Sequence, residues 1–145
     1  MQQQPGRSVA GIAIDDGRFF VARRKPGGNL GDKWEFPGGK VEDGESDGVA
    51  LEREYLEEFG VAVKAGPLLA SAEFSNKGRR FLLNAYRVFF GSLDFCMAEH
   101  VEWRWATPDE IESGSPFAGN FADSDLGLLP ALRAYLSAVP TGPAL

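Results

Sequence analysis

The stretch from Gly39 to Val61, GKVEDGESDGVALEREYLEEFGV, constrains this chain more than any other. A glycine-flanked loop leads into a segment of helical periodicity that stops at Gly60. Ser46 is placed to cap that helix, Asp47 favours its positive end, and Gly60 suits a left-handed residue after the last turn. At about 100° per residue, Glu54, Glu57 and Glu58 share one arc. Val49, Leu51, Tyr55, Leu56 and Phe59 form the opposing, core-facing stripe, with Glu52 landing inside that apolar arc. Glu54 and Glu58 are an i,i+4 like-charge pair with Glu57 beside them, so the bare helix is electrostatically strained and wants a cation. Carboxylate oxygens without a His or Cys cluster suit a hard ion, Mg2+ with Mn2+ as a substitute, rather than zinc.

The spacing resembles the Nudix box, G-x5-E-x7-R-E-U-x-E-E-x-G-U, where U is a bulky aliphatic residue. Gly39, Glu45, Arg53, Glu54, Glu57, Glu58, Gly60 and Val61 fall in place, and Tyr55 departs as an aromatic. The resemblance implies Glu54, Glu57 and Glu58 as metal ligands, joined by the backbone carbonyl of Gly38, with Arg53 orienting a catalytic carboxylate through an ion pair. Glu99-His100-Val101-Glu102-Trp103-Arg104-Trp105 is similar to the E-H-x-E-aromatic-R-W segment of MutT-like members. That similarity implies Glu99 as a further metal ligand, with the general base shared between Glu54 and Glu99. His100, the single histidine, cannot build a metal cluster and is expected to make a local hydrogen bond.

Trp34-Glu35-Phe36-Pro37-Gly38-Gly39-Lys40 is similar to the lead-in of MutT-like proteins that hydrolyse nucleoside triphosphates. It implies that Lys40 meets phosphate, and the Arg23-Arg24 pair, similar to one in the same group, implies that Arg24 lies near the base. A solvated lysine and a surface-strand arginine are the plain alternatives. Asn120, closing Ser115-Pro116-Phe117-Ala118-Gly119-Asn120, corresponds to an Asn that reads a purine edge with its amide. Phe36 and Phe117 can flank the base, or pack in the core.

The chain has 145 residues, 43% hydrophobic and 25% charged, which fits one domain over residues 1–145 with flexible ends at about 1–6 and 140–145. A net charge of −6 speaks against broad binding to a nucleic-acid polymer, although metal ions can reverse the field locally for a polyanionic substrate. Cys96 stands alone, so no intramolecular disulfide can form, and its apolar context reads as core. No apolar run of about 18 residues appears, which points away from a membrane and toward a cytoplasmic location.

Strands are expected at 9–14, 19–23, 34–36, 61–74 (with a break at Gly66-Pro67), 79–90 and 102–105, with turns at Asp15–Gly17, Pro37–Gly39 and Ser75–Gly78. Helices are expected from Ser46 to Phe59, after Thr107-Pro108, and over 125–138, where Pro130 kinks the helix or starts it afresh. The order implies an α/β (α+β) sandwich with a mixed sheet between helices, the layer type of the Nudix fold. The expected partner is a small nucleotide. The resemblance implies cleavage of a nucleoside triphosphate to monophosphate and pyrophosphate, with an oxidised purine such as 8-oxo-dGTP first and CTP or dCTP next. ADP-ribose, a dinucleoside polyphosphate and a non-catalytic nucleotide-binding module are the alternatives.

Overall fold

The structure is a computed structural model in which residues 4–28 and 30–138 are described. In chain order the elements are β1 (Gly6–Ile12), β2 (Ile14–Asp15), β3 (Arg18–Arg24), β4 (Trp34–Glu35), β5 (Gly38–Lys40), α1 (Asp47–Phe59), β6 (Val63–Asn76), β7 (Arg79–Phe90), β8 (His100–Ala106), α2 (Pro108–Ser113), α3 (Asp123–Leu126) and α4 (Leu129–Ala138). One sheet has the order β5-β1-β7-β6, and a second joins β2, β4 and β8 to β3. β1 runs parallel to β7 and antiparallel to β5, which makes the first sheet mixed. The chain crosses from one sheet to the other at Ala13, between β1 and β2.

Alternation along β1 and β3 divides the interior in two. Val9, Ala13, Phe20 and Ala22 face α1 with Ala50, Leu51, Tyr55 and Phe59. Ala10, Ile12, Ile14, Phe19 and Val21 face the other way, onto Ile111, Leu129 and Leu132 of the later helices and Phe121 and Leu128 between them. Phe20 is fully buried, its ring 5.0 Å from Phe90 and 5.7 Å from Phe59. Burial of such a ring contributes about 2–3 kcal/mol. The helices therefore cover both faces of the strands, as the α/β sandwich requires.

The helices α1 and α2 start where a cap residue stands. Ser46 Oγ accepts from Val49 N at 3.2 Å, and Gly60 closes α1 at φ 68°. Thr107 and Glu110 exchange side-chain and backbone bonds in a capping box ahead of α2, with Pro108 in the first turn. Near the C-terminus the expected long helix is two. α3 ends at Leu126, and Pro130, second in α4, starts the chain afresh. The Gly66-Pro67 break is a register irregularity inside one continuous β6.

Several expectations yield to the structure. On α1, Val49 and Leu56 are exposed while Glu58 is buried, because the strands extend under the Glu58 side of the helix. Tyr55 fits where an aliphatic residue is usual because it lies over Gly11. A Cβ there would meet the Tyr55 ring, and the hydroxyl donates to Gly11 O at 3.3 Å. Gly38 and Gly39 form β5 rather than a turn, paired with Ala10 and Val9. Gly6, expected in a loose leader, belongs to β1 and pairs with Phe81. The first three residues of that leader, and the tail 140–145, lie outside the described residues. Cys96 is exposed rather than core. No described helix is long and apolar enough to cross a membrane.

Candidate active site

The box loop and α1 are locked together by one guanidinium. Arg53 donates to both oxygens of Glu45, Nε to Oε2 at 2.7 Å and Nη2 to Oε1 at 2.9 Å. Its Nη1 reaches Glu54 Oε1 at 3.0 Å and Glu57 Oε2 at 3.4 Å, and Nη2 also donates to Lys40 O at 3.1 Å. A planar fork makes these bonds together, which a lysine could not. Arg53 holds the Glu45 carboxyl down to about 2, with the backbone N–H of Glu42 helping.

The glycines allow the close approach. A Cβ on Gly38 would strike the Val9 carbonyl of β1, and one on Gly39 would strike the Glu54 carboxylate. The β5 backbone and the Glu54 side chain therefore share a space that no other residue leaves open.

Behind Glu54 lies a buried acidic group. Glu58 is 5% exposed and Glu35 is 7% exposed. Burial pushes the Glu58 carboxyl up to about 9, and the charges of Glu35 and Glu54 add to the push. Glu54 is also raised, chiefly by burial, against the pull of Arg53. Arg24 Nη1 stands 3.1 Å from Glu35 Oε2 and 3.7 Å from Glu58 Oε1. His100 Nε2 is 2.8 Å from the same Glu35 oxygen. Glu35, Glu58 and His100 offer ligand atoms within 4.8 Å of one another. Glu58 Oε2 is buried without a hydrogen-bond partner among the described residues.

These observations fit a hard divalent cation. An orphaned buried carboxylate oxygen is costly, and a cation would favour the charged form of Glu58 that burial opposes. Glu35 and Glu58 offer carboxylate oxygens, as Mg2+ prefers, and His100 turns its Nε2 to Glu35.

Beside this group the surface opens into two adjoining cavities. The inner one, about 210 Å³, is lined by Arg24, Glu35, Gly38, Gly39 and Lys40 together with Phe36, Phe74, Ser124 and Asp125. The outer one, about 550 Å³, runs past Gly27, Gly28, Leu30 and Lys33 to Ser75, Asn76 and Asp123.

The NUDIX domain profile matches residues 4–126 of the chain. The chain belongs to the Nudix hydrolase family. Over 134 residues, 91% of this chain and 94% of the relative, it is 36% identical to the CTP pyrophosphohydrolase of Escherichia coli. To the 8-oxo-dGTP diphosphatase of Proteus vulgaris it is 38% identical over 81 residues, 55% of this chain and 72% of that one. The solution structure of the E. coli ORF135 protein superposes with a TM-score of 0.78, at 32% identity, covering 96% of each chain.

The Nudix fold brings some of the expected residues together and disperses others. Arg53 pairs with Glu54, whose carboxylate packs against Gly39 next to Gly38 and whose charge reaches Glu58, whereas Glu57 has its side chain 60% exposed. Glu99 is exposed in the loop before β8, its charge felt by both Glu58 and Arg24. Arg24 lines both cavities, and Lys40 lines the inner one with Nζ 5.4 Å over the Phe81 ring. Phe36 lines the inner cavity but is 2% exposed and packs edge-on against Phe19 and Phe121, so core packing takes most of its ring. Phe117 is likewise core, against Trp34. Asn120 donates its amide N–H to Asp32 O at 3.1 Å and lines neither cavity.

Two acids went unanticipated. Glu35 looks like motif filler between Trp34 and Phe36, although an acid within an aromatic run is itself a signal of a buried polar role. Asp125 resembles an ordinary first-turn acid of a helix. Folded, it is 6% exposed, with Oδ2 accepting from Phe36 N at 2.9 Å. No periodicity marks it.

Proposed function

We propose that this Nudix hydrolase cleaves a cytidine triphosphate to CMP and pyrophosphate. The observation that carries the base preference is Asp125 on the wall of the inner cavity. Burial pushes its carboxyl up to about 8, so near neutrality it keeps its proton. The Phe36 N–H donates to Oδ2 and the Ser124 hydroxyl lies 3.5 Å from Oδ1, so with the proton on Oδ1 the second lone pair of Oδ2 stays open as an acceptor. One donor beside one acceptor complements the N3 acceptor and N4 amino group of cytosine. The guanine edge, oxidised or not, presents two donors there and would need an ionised carboxylate. Adenine offers the same pattern as cytosine, and the near-full-length similarity to a CTP pyrophosphohydrolase favours cytosine between them.

A divalent cation bound by Glu54, Glu58, Glu99 and the Gly38 carbonyl, with Glu57 at the rim, would neutralise phosphate charge and make the attacking water more acidic. Arg53 keeps Glu54 and the box loop in place. Glu99, exposed and outside any ion pair among the described residues, would keep its second oxygen to accept the water's proton, whereas Glu54 is held by Arg53. Lys40 and Arg24, on the cavity walls, draw in the polyphosphate. Water oxygen bonds to phosphorus, the α–β bridge bond breaks, and pyrophosphate leaves.

Cleavage of 8-oxo-dGTP is the second reading, resting on the partial similarity to 8-oxo-dGTP diphosphatases. Values of kcat/KM for CTP, dCTP, ATP, GTP and 8-oxo-dGTP separate the two. CTP or dCTP is expected to lead, with Asp125→Ala lowering their kcat/KM about 10- to 100-fold, the loss of one or two well-placed hydrogen bonds. A lead for 8-oxo-dGTP, or an Asp125→Ala effect equal for every base, would overturn the cytidine reading.

A further inference from the structure

The groups read above as cation ligands come from three separate stretches of chain, and one side chain touches the supports of all three. Glu35 Oε2 receives Arg24 Nη1 at 3.1 Å and His100 Nε2 at 2.8 Å. The same Arg24 nitrogen is 3.7 Å from Glu58 Oε1, so the guanidinium spans Glu35 and the helix carboxylate. His100 is the chain neighbour of Glu99, and its ring stacks on Phe59, the neighbour of Glu58, at 4.9 Å and 17°. Glu35 itself lies three residues before Gly38 on the strand that leads into β5. With Nδ1 of His100 buried and unpartnered, the ring proton belongs on Nε2, where it donates to Glu35.

We propose that Glu35 is a positioning residue: through Arg24 and His100 it sets the spacing of Glu58, Glu99 and the Gly38 backbone, and so the affinity of the site for its cation. The proposal rests on the reading of Glu58 and Glu99 as cation ligands. A carboxylate that accepts two charged or polar donors in a buried setting fixes both more firmly than either pair alone. Partners one step removed from a metal commonly tune its affinity in this way.

The test is Mn2+ affinity, read from the free-ion EPR signal, alongside thermal unfolding in EDTA and kcat and KM for CTP. Glu35→Gln keeps the side chain's shape but cannot accept from both donors through a charged oxygen. It is expected to unfold cooperatively, to bind Mn2+ about 10- to 100-fold more weakly, and to lose kcat with little change in KM. His100→Leu is expected to behave likewise, whereas His100→Gln, which keeps a donor at similar reach, restores most of the affinity. A folded Glu35→Gln with wild-type Mn2+ affinity would overturn the proposal. If Glu35→Gln does not fold, the His100 pair decides: weak binding in Leu with recovery in Gln supports it, and equal affinities overturn it. Wild-type protein with no Mn2+ site would instead remove the cation reading itself, and this proposal with it.

Discussion

Asp125→Asn should change how stability depends on pH. The folded chain holds the Asp125 carboxyl at about 8, through burial and the nearby charge of Glu35, whereas an ordinary aspartate titrates at 3.8. Between those values the folded state keeps a proton that the unfolded chain releases. A group raised in the folded state contributes stability that is full below the unfolded value and is lost as pH climbs toward the folded one. The loss is about 1.4 kcal/mol per pH unit, hence about 3 kcal/mol between about pH 5 and pH 7. That figure is a ceiling, because water entry and relaxation soften the burial penalty. Asparagine keeps the acceptor for Phe36 N–H and has nothing to ionise. Urea unfolding of both proteins in EDTA, across that range, reads the difference directly. Glu58, itself raised to about 9, slopes the same way in both and largely cancels. Wild type should lose ground to the variant as pH rises. A difference independent of pH, or a wild type that gains ground, would refute the argument.

Other perturbations separate the site from the scaffold. Gly39→Ala should displace the Glu54 carboxylate rather than strain the backbone, lowering Mg2+-dependent kcat about 10- to 100-fold while thermal unfolding barely moves. Arg53→Lys cannot bridge Glu45, Glu54 and Lys40 O together, so kcat should fall about 100-fold with a smaller effect on KM, measured in steady-state assays. Phe20→Ala removes the ring at the centre of the α1-side cluster and should cost about 3–5 kcal/mol in urea unfolding.

The legible parts were those in which local chemistry and global fold agree. Ser46, Gly60 and the Thr107–Glu110 box each satisfy orphan backbone groups within a few residues, so sequence spacing suffices to locate them. The box acids were legible because three carboxylates on one arc make sense only with a positive partner. Burial was not. Val49 and Glu58 differ in exposure because of where the strands lie beneath α1, which helical periodicity alone does not say. Glu35, Asp125 and Asn120 depend on contacts that span long stretches of sequence: Asp125 with Phe36, Asn120 with Asp32, Glu35 with His100. Such pairings appear only once the two sheets are assembled. Phe36, an aromatic next to a glycine loop, suits a base platform as well as a core, and packing from Phe19 and Phe121 decided it.

The central claim is that the acids gathered around Glu58 hold the cation for cleavage of a nucleoside triphosphate between its α and β phosphates. Phosphorus NMR of CTP incubated with wild type, Glu54→Gln and Glu58→Gln, with Mg2+ and with EDTA, tests it most directly. CMP and pyrophosphate from wild type in Mg2+, with neither product in EDTA or from the two variants, is the expected result. Release of CDP and inorganic phosphate, or undiminished turnover by Glu58→Gln, would contradict the account.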